Sequence, residues 1–121
     1  MKFYYNNELI RTSKNHEYTH AVINVETGGC KGCRTSAKAC ESIISSELRA
    51  YKESIENCEE RIEALKSGRP WYYETFRGRI YKEALRKDHT IEQQEERIES
   101  LKKTMEYIRN NWQIVELERR G

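Results

Sequence analysis

An α+β fold follows from three features of the 121-residue sequence: short β-favouring runs at its start, two long heptad seams, and a β-favouring run at its end. The expected architecture is a small antiparallel N-terminal sheet, joined by a C-terminal strand, plus two long antiparallel helices in an oligomeric assembly. A single domain is expected over residues 1–121, with a β-hairpin, sheet and Gly-rich loop at 1–35, a helical hairpin at 36–111 and the last strand at 112–121.

The first elements are Phe3-Tyr4-Tyr5 and Leu9-Ile10-Arg11-Thr12, separated by Asn6-Asn7. Asparagine tolerates the positive φ angles of a two-residue turn, so this stretch reads as a β-hairpin. Tyr18 to Val25 reads as a third strand, with Ala21, Val22, Ile23 and Val25 at least partly buried. Gly28-Gly29-Cys30-Lys31-Gly32 breaks that pattern and reads as a loop.

From Ser36 to Lys66 the periodicity becomes helical. Leu48, Tyr51, Ile55, Cys58, Ile62 and Leu65 recur at spacings of 3 and 4, and Ile44, Cys40 and Ala37 extend the seam backwards. Ser67-Gly68-Arg69-Pro70 ends this helix. A second seam runs through Ile91, Gln94, Ile98, Leu101, Met105, Ile108 and Trp112, with Thr90 and Gln93 spaced as a capping box. That helix is expected to reach back towards Arg79 through Ile80 and Ala84. Trp112 to Glu118 reads as a strand returning to the N-terminal sheet. Both seams are narrow, and an isolated hairpin would leave apolar surface in water at about 25 cal/mol per Å². Two hairpins joined as a four-helix arrangement would cover it, as would the small sheet within one chain.

Composition narrows the function. Hydrophobic residues are 36% of the chain, below the roughly 45–50% (glycine included) of an ordinary domain, which argues against a large single core. The 22 basic and 20 acidic side chains leave a net charge of +2. Residues 1–35 and 67–90 are net basic, whereas 36–66 and 91–121 are net acidic. A long nucleic acid wants a continuous basic face, which this alternation does not offer; a compact anion fits better. No run of about 18 apolar residues exists to span a membrane. The opening residues turn polar too early for a signal peptide, so a cytoplasmic protein is expected.

Four stretches could carry chemistry. His16-Glu17-Tyr18-Thr19-His20 has the letters of the zinc-peptidase HExxH motif, which needs a helix to bring both imidazoles to one metal. A strand would spread them over about 13 Å, and strand-forming residues dominate here. Cys30-Lys31-Gly32-Cys33 has the spacing of a zinc or redox pair. A closed zinc site would need Cys40 and a histidine as well, and plain reduced thiols are the simpler reading. Cys58 lies eighteen helical residues, about 27 Å, beyond Cys40 and belongs to the seam. No metal or cofactor is expected.

The glycine-rich stretch has a second reading. If Gly28 to Ser36 leads straight into the helix, free N–H groups there could hold a phosphate beside Lys31 and Arg34, and a simple connector is the alternative. Finally, Arg69-Pro70-Trp71-Tyr72-Tyr73-Glu74-Thr75-Phe76-Arg77-Gly78-Arg79 sets four aromatics among three arginines. Such a mixture suits base stacking with phosphate pairing, or a plug that closes the helical hairpin. Arg109, Asn110 and Trp112 form a similar smaller set. Neither set contains a nucleophile paired with a base, so binding without catalysis is expected.

The run Phe3-Tyr4-Tyr5-Asn6-Asn7-Glu8-Leu9-Ile10-Arg11-Thr12-Ser13-Lys14, followed by a strand and two long helices, resembles the first-described class of phage Thoeris anti-defence proteins. The likeness lies in the hairpin opening, the size and the order of elements. It implies a non-enzymatic signal sponge that sequesters cyclic ADP-ribose isomers, and in some members cyclic oligonucleotides, within an oligomer in the bacterial host cytoplasm. Under that reading Trp71 or Phe76 would stack on the base, and Arg77, Arg79 and Arg109 would pair with phosphate. Asn110 would read a base or ribose edge, with Lys31 and Arg34 as further anion contacts. A coiled-coil inhibitor of a host enzyme and a small nucleic-acid binder are the rival expectations.

Overall fold

The computed structural model describes residues 1–68, 72–75, 78–81 and 90–121. Its elements are β1 (Lys2–Tyr5), β2 (Glu8–Thr12), β3 (His20–Asn24), β4 (Cys30–Arg34), α1 (Ala37–Ser67), β5 (Tyr72–Thr75), β6 (Gly78–Tyr81), α2 (Ile91–Asn111), β7 (Trp112–Glu116) and β8 (Glu118–Arg120). The chain divides into two compact units. Unit 1 comprises Met1–Arg49 with Met105–Gly121, and unit 2 comprises Ala50–Thr104, so each helix contributes to both.

The fold is α+β as expected, but its β layer is built differently. Instead of one small sheet there are two antiparallel three-stranded sheets, ordered β2-β1-β8 and β4-β3-β7, and a separate β5-β6 pair. The C-terminal segment serves both large sheets: Ala21 faces Val115 across β3 and β7, while Phe3 faces Arg119 across β1 and β8. Leu117 sits at the crossing, its N–H donating to the Thr19 carbonyl at 2.9 Å.

The opening hairpin forms where its turn residues demand. Asn6 and Asn7 hold φ angles of 49° and 64°, the left-handed pair that matches the twist of a two-residue hairpin. The β1–β2 register slips between Phe3 and Tyr4, where Arg11 and Leu9 are the successive partners and Ile10 is the extra residue. Tyr5 and Ile10 pack on a core of Ala21, Ile23, Cys33 and Val115, joining one sheet to the other. β3 is the central strand, and Ala21 to Asn24 is buried throughout because both its faces are covered. On the face of Val22 and its partner Gly32, α1 comes close: a Cβ at Gly32 would meet the Ile43 methyl at 2.8 Å. A larger residue there would require the Ile43 side chain to turn aside.

Several sequence expectations change here. The third strand is shorter than Tyr18 to Val25, and Val25 is exposed because the chain turns after Asn24. Asn24 Oδ1 accepts the Glu26 N–H at 3.0 Å, and its amide donates to the Tyr107 hydroxyl at 3.2 Å, so the buried side chain organises that turn. The Gly-rich loop is in part a strand, since Cys30–Arg34 pairs with β3. The backward extension of α2 is overturned at Gly78–Tyr81, which is strand β6 paired with β5. Ala84 lies outside the described residues.

Helix boundaries follow local signals. Ser36 caps α1, its Oγ accepting the Ala39 N–H at 3.1 Å, and Gly68 at φ 70° closes it in the left-handed conformation. Ahead of α2, Thr90 Oγ1 accepts the Gln93 N–H at 3.1 Å and Gln93 Oε1 accepts the Thr90 N–H at 3.0 Å. This reciprocal box satisfies two donors that the first turn leaves over. Replacing Thr90 with alanine is expected to cost about 1 kcal/mol, read as a lower urea midpoint.

The seams are buried in part. In unit 1 Cys40, Met105 and Ile108 are buried; in unit 2 Ile55, Cys58 and the polar Gln94 are, together with Ala64, which the seam did not include. Leu48, Tyr51, Ile62, Leu65, Ile98 and Leu101 remain half-buried, and Ala37, expected to extend the seam, is exposed. No helix among the described residues is long and apolar enough to cross a membrane.

Candidate functional site

The residues that could hold a ligand gather where α2 runs without a break into β7. Register places Trp112 opposite Asn24 at the end of β3, and the Val25 N–H donates to the Asn111 carbonyl at 2.9 Å, locking the helix end to the sheet. On the far side of β3, β4 carries a bulge: Val22 pairs with Gly32 and Ile23 with Cys30, which leaves Lys31 as the extra residue. Released from the ladder's regular alternation, Lys31 lays its ammonium 5.1 Å from the centre of the Trp112 ring. Arg109 and Asn110 occupy the last turn of α2, both exposed. A cation there also complements the negative end of the helix dipole, which gives Arg109 a structural role besides any contact with a ligand.

The structure therefore brings Lys31 to Trp112 and sets Arg109 and Asn110 just before that ring in the chain. Arg34 is not part of this group. It pairs with His20 at the other end of the sheet, about 10 Å of strand away from Lys31, and its Nη1 donates to the Cys33 carbonyl at 2.7 Å. Of the Gly28–Ser36 stretch, Cys30–Arg34 is strand β4 paired with β3, so it does not run as a loop straight into α1. Arg79 lies on β6 opposite Glu74, in unit 2. Trp71, Phe76 and Arg77 lie outside the described residues.

The HExxH stretch is not helical: it runs irregularly to His20, where β3 begins. His16 stacks on Tyr18 at 5.6 Å, Glu17 accepts from Arg119 at 3.0 Å, and His20 Nδ1 meets Thr19 Oγ1 at 2.7 Å. Among the described residues no group of three or more His, Cys, Asp or Glu side chains is placed to hold a metal ion.

Two further features had no counterpart in the sequence reading. An open cleft of about 190 Å³ is lined by Tyr5, Asn6, Glu8, Ile10, Ile23, Val25 and Gly28. Alternation along β3 puts Ile23 and Asn24 on opposite faces, so this cleft and Trp112 share one end of the sheet but not one side. It is built from two separate turns, and no local pattern foretells their meeting. On the other sheet, Arg120 lies 4.4 Å from the Tyr4 ring and donates to Asn7 Oδ1 at 2.8 Å and to Glu118 at 2.9 Å. That hydrogen bond, and then the guanidinium charge, holds the Glu118 carboxyl below its usual range.

Among known proteins, no family model, no curated protein and no solved structure matches the chain.

Proposed function

We propose that this protein binds and sequesters a compact phosphorylated nucleotide signal, of the cyclic ADP-ribose or cyclic oligonucleotide class, and releases it unaltered. This is the anti-defence role, in a bacterial host cytoplasm, that the resemblance to Thoeris antagonists implies. The observation that carries the reading is the Lys31 ammonium over the Trp112 indole, with exposed Arg109 and Asn110 in the turn before it.

Such a pair can exchange partners. An exposed cation–π contact is worth about 0.5–1 kcal/mol, which is what vacating the ring costs. A base stacked on the freed ring returns about 1–3 kcal/mol, and the displaced ammonium gains a charge-assisted bond to phosphate. Stacking thus outweighs the lost cation–π contact, and further contacts must offset the cost of association. Trp71, Phe76, Arg77 and Arg79 are proposed as ligand contacts from their chemistry alone and not as part of the Lys31–Trp112 site, and enclosure between copies of the chain would supply burial on more sides. Half-buried Leu48, Tyr51, Ile62 and Leu65 on α1 support self-association, and they equally favour the rival reading in which the helices dock on a host protein.

A thermal-shift screen of cyclic ADP-ribose isomers and cyclic oligonucleotides separates the two. A ligand at 100 times its dissociation constant adds about 2.7 kcal/mol to stability, and mass spectrometry after heat release should return it intact. Indifference to every nucleotide removes the sponge reading, and a hydrolysed product makes the protein an enzyme.

A further inference from the structure

Cys30 and Cys33 stand three residues apart on one strand, a spacing that ordinarily sends side chains to opposite faces. The bulge reverses this. Cys33 lies opposite Ala21 and Cys30 opposite Ile23, and Ala21 and Ile23 are two residues apart on β3, so both thiols share one face. Their sulfurs are 3.8 Å apart and both cysteines are free. Cys33 is wholly buried in the core with Ala21, Ile23 and Val115, whereas Cys30 is half-buried at its edge. The arrangement is thus a dithiol with one member open to a reagent and the other closed behind it.

We propose that Cys30 and Cys33 form a reversible modification site, a dithiol that small-molecule disulfides convert into an intrachain Cys30–Cys33 disulfide. Cys30 gives its proton to solvent and its sulfur attacks one sulfur of the small disulfide. That S–S bond breaks, and the departing thiolate takes up a proton. Cys33 then loses its proton and attacks the Cys30 sulfur of the mixed disulfide, expelling the second small thiol. Two protein thiols are oxidised, and one small disulfide is reduced to two thiols.

The sulfurs need to approach by about 1.8 Å to reach the length of a disulfide bond, a movement within reach of side-chain rotation on a bulged edge strand. The surroundings set the pace of the second step. Burial, and next the neighbouring Cys30, push the Cys33 thiol up to about 11, with Arg11 acting in the opposite direction. The resting thiol and the disulfide are both uncharged, so this penalty falls on the Cys33 thiolate through which the second step passes. The second step is therefore slow at neutral pH and accelerates as pH rises towards 11. Cys40, buried on α1, is the competing partner.

The test exposes the full chain to oxidised and reduced glutathione in varied ratio. It follows intact mass and maps the bond by proteolysis, for the folded chain and for the chain in concentrated urea. The expected product is a Cys30–Cys33 bond within one chain, at least tenfold more favoured in the folded protein. Cys33→Ser should halt with glutathione on Cys30, and Cys30→Ser should leave Cys33 unreacted. A bond from Cys30 to Cys40, wild-type reaction that stops at the mixed disulfide, or a folded chain that resists oxidation relative to urea would overturn the proposal. No nucleotide enters the experiment, so its failure is independent of the binding reading.

Discussion

Under the proposed sequestration, Trp112→Ala is expected to weaken binding of a cyclic ADP-ribose isomer by roughly 5- to 150-fold, the equivalent of the 1–3 kcal/mol that one stacked base supplies. The indole is half-buried at the start of β7, so truncation removes the stacking face and leaves Lys31 without its resting partner. Trp112→Phe keeps a smaller ring and should recover part of the affinity. Lys31→Arg should bind nearly as well as the parent chain, whereas Lys31→Met should lose the phosphate contact and much of the salt sensitivity. Isothermal titration calorimetry at two salt concentrations reads all four variants. Unchanged affinity in Trp112→Ala would exclude this ring from the site.

The largest expected loss of stability comes from Phe3→Ala. Phe3 is wholly buried on β1, edge-on to Tyr18 with ring centres 5.5 Å apart, and Tyr18 is itself covered by Arg11 at 5.8 Å. Removing such a ring costs about 3–5 kcal/mol, because the surrounding sheet edges close only partly over the space left behind. Against a total of about 5–15 kcal/mol for a typical domain, this is a large share, and the urea midpoint should fall accordingly. Leu9→Ala on the neighbouring strand, 52% exposed, serves as the control and should change stability little. A loss for Phe3→Ala close to that of the control would mean that the two sheets do not depend on this ring.

How much of the site could be read beforehand depends on the distance over which its parts communicate. Lys31 was identifiable as a cation within the glycine-rich stretch, and Arg109 and Asn110 as polar groups beside Trp112, which the sequence also placed at the end of the second seam. Their grouping was not legible. Lys31 and Trp112 lie 81 positions apart in the chain, and only the order β4-β3-β7 brings them together. Arg34, equally basic and three residues from Lys31, falls at the other end of the same strand. Nothing in composition distinguishes the two; register does.

The same division runs through the fold. Asn6-Asn7, the Ser36 cap, Gly68, the Thr90–Gln93 box and the heptad seams act over a few residues, through backbone sterics and nearby hydrogen bonds, so the amino-acid order alone located a hairpin and most helix ends. Strand β4 has glycine and cysteine where a strand favours branched residues, and it is extended because β3 offers it a ladder. The division of the C-terminal residues between two sheets is set by partners distant in the chain, while the bulge at Lys31 and the juxtaposition of Cys30 with Cys33 are set by the register against β3. Such pairings gain their free energy only once remote segments meet, and the folded arrangement of the sheets decides them.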